Sequence, residues 1–424
     1  MDRKKGYYDA AAETMPVAER VRAQRDMVRE TVLYAYEHAP ATRRKMDEAG
    51  VGPGDVKEPA DLRRIPLTRK ADLKNIQKGE PPFGGLAAVP PRAMRRIYVS
   101  PGPTFDPEGR DATHWRWEKP FIAAGFREGD IVQNTFAYHF SPAGLMFDEA
   151  LQRIGCTVIP AGVGNTELQA QVMKELHVTG YVGTPSFLMT ILEKAKEMEY
   201  TSGDGLSLQV ALVAGEMFPD SLRARFRDEF GVEARQCYGT ADVGSLGYEC
   251  HVAKGMHVPD EIFLEMIDPA TGDPVAPGAI GEVVVTLPNR TYPLVRFATG
   301  DLSILSDDPC PCGRTSPRLL KLVGRVDQVT KIKGMFVHPE QVTQLAGKVP
   351  VIASAQFVVT RTEHDDHMEM RIVLKESAAA SDALAARIVE MAREITRLRG
   401  EVRFIAATEI EEPEKKIIDK RKWD

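Results

Sequence analysis

At 424 residues the chain is longer than one ordinary hydrophobic core organises, so two domains of unequal size are the first expectation. Hydrophobic residues make up 43% and charged residues 27%, the balance of a well-packed soluble protein. A formal charge of -6, with no block of basic residues, argues against a nucleic-acid partner.

The charged start Met1-Asp2-Arg3-Lys4-Lys5 lacks the apolar stretch of a signal peptide. No window holds the roughly 18 apolar residues of a membrane span, so no membrane partner is expected. The expected location is the cytoplasm, where thiols stay reduced, and the five cysteines are poor disulfide candidates. Residues 17–48 read as one charged amphipathic helix, and Ile65-Pro66-Leu67-Thr68 as the cap of a short helix starting near Arg69. From about 130 to 240, apolar runs alternate with helical stretches. Strands are predicted at Asp130–Asn134, Cys156–Ala161, Gly180–Gly183, Val210–Ala214 and Ala234–Tyr238. Helices are predicted at Ala143–Ile154, Glu167–Leu176, Ser186–Met198 and Pro219–Phe230. This alternation implies an α/β fold with a parallel sheet covered on both faces, and ligands beyond the carboxyl ends of its strands.

Between about 262 and 322 the pattern changes to short strands and turns, read as a small β subdomain. After Arg325 the order is hairpin, helix (Pro339–Lys348), strand (Ala353–Thr360), strand (Met368–Leu374), helix (Ala380–Leu398) and strand (Glu401–Ala406). That is a compact α+β unit of a size that folds alone, which gives domains at 1–325 and 326–424.

Three segments carry chemistry. In Gln236-Cys237-Tyr238-Gly239-Thr240-Ala241-Asp242 a strand runs into a glycine turn with a carboxylate beyond it. The glycine admits close backbone approach to a ligand, and the carboxylate suits Mg²⁺ beside phosphate oxygens. In Tyr292-Pro293-Leu294-Val295-Arg296-Phe297-Ala298-Thr299-Gly300-Asp301, the aspartate can accept from both hydroxyls of a ribose. Each of these two segments, taken alone, also reads as an ordinary turn. The third, Gly324-Arg325-Val326-Asp327 through Lys331 and Gly334 to His338-Pro339, joins a polar junction to a glycine hairpin and a proline-started helix.

In this order and spacing the three resemble the phenylacetate–CoA ligase family of adenylate-forming enzymes. Further matches are Ile65–Thr68, Pro160-Ala161-Gly162 with Gly164-Asn165-Thr166, Thr184-Pro185-Ser186 and Cys310-Pro311-Cys312-Gly313-Arg314-Thr315, so the resemblance spans nearly the whole chain. It implies AMP-forming ligation of an aromatic or other compact carboxylic acid. The acid attacks ATP to give an acyl-adenylate, CoA then displaces AMP, and a small mobile C-terminal domain turns about a hinge at Asp327. Carried over, Gly215, Glu216, Tyr238, Gly239 and Thr240 line the adenine and phosphate region, and Asp242 takes Mg²⁺. Asp301 takes the ribose, Arg325 a contact near it, and Lys331 to Gly334 face CoA. Tyr138, His139 and Phe140 fall where the family places acyl-pocket aromatics, although strand-end packing explains them equally well.

Cys250, His257, Cys310 and Cys312 supply three thiols and an imidazole, a donor set for tetrahedral Zn²⁺, with His251 as an alternative fourth ligand. Some relatives in the family hold zinc with this pattern. Four protein ligands leave no open position, which makes the zinc structural.

The resemblance breaks at the phosphate loop. The family reads Ser-Ser-Gly-Thr-Thr-Gly-Lys-Pro there; this chain has Ser100-Pro101-Gly102-Pro103-Thr104-Phe105-Asp106-Pro107. Ser100 and Thr104 survive as ATP contacts, but Asp106 stands at the lysine position and repels a triphosphate unless a cation intervenes. Arg110 is the nearby candidate cation. The family's catalytic C-terminal lysine maps onto the run Glu411–Lys416, with Lys415 as the leading candidate and a solvated tail as the plain alternative. Two other readings stay open: an adenylate former with an amine acceptor, and a relative that binds nucleotide or CoA with little or no adenylation. A homodimer is compatible with the sequence.

Overall fold

The computed structural model describes residues 2–100, 103–112, 114–201, 205–326, 330–332, 335–337, 339–362, 365–413 and 415–421. The chain divides into two compact units. One comprises Met1–Ala279, Val283–Thr299 and Ile304–Lys321; the other comprises Ile280–Glu282, Gly300–Ser303 and Leu322–Asp424.

The first unit opens with helices α1 (Ala10–Glu13), α2 (Val17–His38) and α3 (Pro40–Glu48). The single helix expected over 17–48 is therefore two. Proline at 40 lacks an amide hydrogen and forces the preceding Ala39 out of helical geometry, to φ -108° and ψ 102°. Thr68–Arg69 does not cap a helix directly. It forms a two-residue strand, β1, pairing in parallel with Phe297–Ala298, before a 3₁₀ turn and α4 (Leu73–Gly79). A hairpin follows, β2 (Arg96–Ser100) with β3 (Thr104–Glu108), and then α5 (Glu118–Ala124).

The central region is the predicted alternation: β4 (Ile131–Asn134), α6 (Ala143–Arg153), β5 (Thr157–Pro160), α7 (Thr166–Glu175), β6 (Gly180–Gly183), α8 (Pro185–Glu197), β7 (Val210–Val213), α9 (Asp220–Phe230) and β8 (Glu233–Thr240). The strands pair in parallel in the order β5-β4-β6-β7-β8. Because β4 connects outward to β5 and the chain then returns past it to β6, the winding reverses between β4 and β6. A crevice opens at such a point, beyond the carboxyl ends of the strands.

Every residue of β6 and β7 is buried, as expected of strands covered on both faces. Successive side chains point to opposite sides. Val182, Val210 and Leu212 join Phe121, Phe147 and Leu151 of α5 and α6 in one core. Tyr181, Ala211 and Val213 join Met173, Leu188, Ile191 and Phe226 of α7, α8 and α9 in another. The sheet is thus doubly wound, as read from the sequence. Thr184 starts α8 by accepting from the Phe187 amide, with Pro185 at the first helical position.

On its other side β8 pairs with β9 (Gly244–Glu249), which runs antiparallel to it, with a bulge between Tyr238 and Gly239. From there β10 (Met256–His257), β11 (Phe263–Ile267), β12 (Ile280–Leu287), β13 (Leu294–Ser306) and β14 (Arg318–Arg325) continue the same twelve-stranded sheet. The short strands read as a separate β subdomain are its extension. Turn-rich sequence marks each strand's length but not its neighbour.

In the second unit a hairpin, β15 (Thr330–Ile332) with β16 (Met335–Val337), precedes α10 (Pro339–Lys348). Four strands then pair in the order β19-β18-β17-β20, from β17 (Ile352–Thr362), β18 (Asp365–Leu374), β19 (Glu401–Phe404) and β20 (Ile417–Asp419). Helix α11 (Asp382–Thr396) is capped by Ser381, and its apolar face joins α10 over Phe357, Met370 and Ile372. No helix among the described residues is long and apolar enough to cross a membrane.

Candidate functional site

The carboxyl ends of β4, β7 and β8 carry the residues singled out from the sequence. After β7, Gly215 turns with φ +83°, a conformation suited to glycine, and it and Glu216 are exposed. Glu216 Oε2 accepts from the Ser186 amide at the start of α8. At the end of β8 the Tyr238 hydroxyl meets Thr299 Oγ1 at 3.3 Å, which ties this strand to β13. Gly239 leaves no room for a side chain: a Cβ would lie 2.5 Å from the Gly244 carbonyl oxygen and 2.7 Å from the Trp117 indole. Among the described residues, the buried hydroxyl of Thr240 has no hydrogen-bond partner.

The phosphate-loop segment falls on the β2–β3 hairpin, with Ser100 opposite Thr104 in register; Pro101 and Gly102 of the motif lie outside the described residues. Gln77 of α4 pins it by exchanging two hydrogen bonds with the backbone of Phe105. Asp106, the misfit of the motif, is buried on β3 and accepts from Ser100 Oγ at 2.5 Å. Its neighbour is Asp242, also buried. Desolvation, reinforced by the Asp242 charge, pushes the Asp106 carboxyl up to about 8. The cation here is Lys70, whose ammonium donates to Asp242 Oδ2 at 2.6 Å and whose side chain is 31% exposed. Arg110, the expected cation, instead donates to the carbonyls of Ala93 and Met94. Sequence reasoning missed Lys70 because a lysine 172 positions from its carboxylate leaves no spacing signal.

Tyr138, His139 and Phe140 follow β4. The Tyr138 hydroxyl is held inside by Asn134 and Asp148, each at 2.8 Å, and this burial with a carboxylate beside it raises the phenol. His139 is exposed, and Phe140 is 75% exposed at φ +61°, a costly backbone state for an aromatic residue. The carbonyl of Phe140 accepts from Val99 of β2, which fixes the aromatic loop against the phosphate hairpin.

Asp301 lies in β13 and Arg325 at the end of β14, both in the second unit, joined by Arg325 Nη1 to Asp301 Oδ1 at 3.0 Å. Gly300, within β13, has φ +80°, a backbone state that favours glycine, and the Arg325 guanidinium lies 3.1 Å from where a Cβ would be. Lys331 lies in β15, and its side chain is outside the described residues, as are Asp327 and Gly334. Lys415 is half exposed, its ammonium 2.6 Å from Glu412.

The four predicted metal ligands converge. Cys250 follows β9, His257 lies in β10, and Cys310 and Cys312 sit in the loop between β13 and β14. Their donor atoms all lie within 4.8 Å of one another. Cys250 Sγ is 3.8 Å from Cys310 Sγ, and Cys312 Sγ is 3.4 Å from His257 Nε2. A tetrahedron with Zn–S of about 2.3 Å and Zn–N of about 2.0 Å has edges of roughly 3.5–3.8 Å, so the spacing fits. His251, the alternative ligand, is not in the cluster. Hydrogen bonds from Cys250 and His257 hold the Cys312 thiol well below its usual range, the direction a metal-binding thiolate needs. The loop is braced from outside: Tyr7 donates to the Cys312 carbonyl, and the buried pair Arg314–Glu13 meets at 2.6 Å.

The sequence profile of the AMP-binding enzyme family matches residues 122–291. A phenylacetate–coenzyme A ligase of Thermus thermophilus is 32% identical over 412 residues, 93% of this chain and 91% of that protein. One from Escherichia coli is 30% identical over 379 residues, 86% of this chain and 85% of its own length. Among solved structures, 2-hydroxyisobutyryl-CoA ligase, in an open conformation with its acyl-AMP and CoA, superposes with a TM-score of 0.86. It is 26% identical and covers 97% of this chain and 94% of its own. Motifs, fold and whole-length similarity converge: the chain belongs to the phenylacetate–CoA ligase family.

Proposed function

We propose that this protein is an AMP-forming acyl-CoA ligase for an aromatic or other compact carboxylic acid. The observation that carries the reading lies beyond β8, where Asp242, two residues after the hydroxyl of Thr240, is bonded to Lys70 and stands against Asp106 of the phosphate hairpin. It occurs in a chain alike to acyl-CoA ligases along nearly its whole length. The acid's carboxylate oxygen attacks the α-phosphorus of ATP and the α–β phosphoanhydride bond breaks. Acyl-adenylate and pyrophosphate result. The CoA sulfur then attacks the acyl carbon, its proton is lost to solvent, and AMP leaves.

Gly215 and Glu216 border the adenine, Thr240 donates to a phosphate oxygen with Ser100 and Thr104 beside it, and Asp301 accepts from the ribose. Arg325 orients Asp301. Lys415 is the candidate for charge on the α-phosphate during the first step. Asp242 would hold Mg²⁺, which neutralises the phosphate charge when bound. Tyr138, His139 and Phe140 border the acyl group. Cys250, His257, Cys310 and Cys312 would hold one structural Zn²⁺, with the second unit acting as the family's C-terminal domain.

Asp106 in place of a loop lysine favours one rival, a relative that binds nucleotide without adenylation. Incubating the protein with ATP, Mg²⁺ and CoA across aryl, arylacetic and short aliphatic acids separates the two. The ligase reading expects AMP and a thioester in equal amounts with at least one acid class. Folded protein that binds nucleotide yet makes no AMP with any acid supports the rival.

A further inference from the structure

The Asp106–Asp242 pair is an electrostatic problem that the described residues do not solve. Both carboxylates are buried, with Asp106 1% and Asp242 5% exposed, and they stand close enough to share a hydrogen. Ser100 satisfies Asp106 Oδ2 and Lys70 satisfies Asp242 Oδ2, but no donor among the described residues reaches the buried Asp106 Oδ1. The buried phenol of Tyr292 lies near both and carries no positive charge. Once Asp106 ionises, two carboxylates stand against the single ammonium of Lys70 and leave an excess negative charge at this hairpin. Like charges at short range in a dry setting demand either a proton or a cation between them. An orphaned carboxylate oxygen facing a second carboxylate is oxygen-donor chemistry for a hard divalent cation.

We propose that Asp106 and Asp242 together hold one divalent cation at the phosphate loop, with Asp106 as the second protein ligand. Through this metal the chain would grip the triphosphate without a lysine in the loop. Lys70, partly exposed on a flexible stem, stands in for the cation at Asp242 and moves off as the metal enters. The nucleotide's part in this proposal rests on the ligase reading; the metal's does not.

The test uses Mn²⁺ alone as the probe, titrated into nucleotide-free, full-length protein and followed by the electron paramagnetic resonance of the free ion. Wild type is expected to show one saturable Mn²⁺ site per chain that Mg²⁺ competes away. D106N is expected to weaken it about 10-fold or more with zinc content unchanged, D106E to restore part of it, and K70M to tighten it. Where D106N does not fold, D106S supplies the comparison. Absence of a saturable site in wild type overturns the proposal. So does equal Mn²⁺ affinity in folded D106N, the outcome of a pair that merely shares a proton. Acid-dependent AMP from wild type together with unchanged metal dependence in D106N would sink this site and leave the ligase standing. No AMP with any acid, together with Mn²⁺ binding lost in D106N, would do the reverse.

Discussion

Replacing Asp301 with alanine is expected to lower kcat/KM for ATP by about 100-fold or more while leaving KM for CoA within about threefold. A carboxylate accepting from two ribose hydroxyls makes charge-assisted hydrogen bonds of about 1.5–3 kcal/mol each. Their joint loss corresponds to at least two powers of ten, at about 1.4 kcal/mol per factor of ten. Geometry supports the assignment. Asp301 is held by Arg325 at 3.0 Å, in β13 just after Gly300, whose φ of +80° favours glycine. Arg325 is 42% exposed, so losing its partner costs the fold little, and the melting temperature should move by only a few degrees. Steady-state kinetics with varied ATP and CoA decide it. An unchanged kcat/KM for ATP in D301A would remove the ribose role from Asp301.

The second large effect concerns the thiol–imidazole cluster. The purified protein is expected to carry one zinc per chain, and C310S to lose it together with about 4–5 kcal/mol of stability or more. Two segments distant in sequence meet there, Cys250 to His257 and the loop between β13 and β14, so a metal would cross-link them. With all four positions taken by protein, zinc has no site for substrate. Activity per folded molecule, measured well below the melting transition, should stay within about threefold. Metal analysis and thermal unfolding of wild type and C310S give the answer. Zinc-free wild type, or a chelated protein that loses turnover without losing stability, would contradict a structural metal.

Much of the architecture was legible because the signals are local. Strands covered on both faces, such as Gly180–Gly183 and Val210–Val213, are short apolar runs set between helical stretches. The break at Pro40 was equally local, but the charged pattern continues across it and hid it. What was not legible is pairing between distant segments. Nothing in residues 262–322 says that their strands extend the central sheet through β10 and β9. Asp106 could be seen as a misfit in its motif. That it stands against Asp242, with Lys70 closing the other side, requires the hairpin, the strand end and the 3₁₀ turn to be placed together. The thiol–imidazole cluster was partly readable from residue type, and the family resemblance added the rest, because the spacing of its four members matches no standard finger.

The central claim is that the acid's own oxygen attacks the α-phosphorus, and isotope transfer tests it most directly. Protein is incubated with ATP, Mg²⁺, CoA and an accepted acid labelled with ¹⁸O in its carboxylate, and the products are read by mass spectrometry. The account predicts one ¹⁸O in each AMP formed, with unlabelled pyrophosphate. Label appearing in inorganic phosphate beside ADP, or thioester formed with unlabelled AMP, would contradict it.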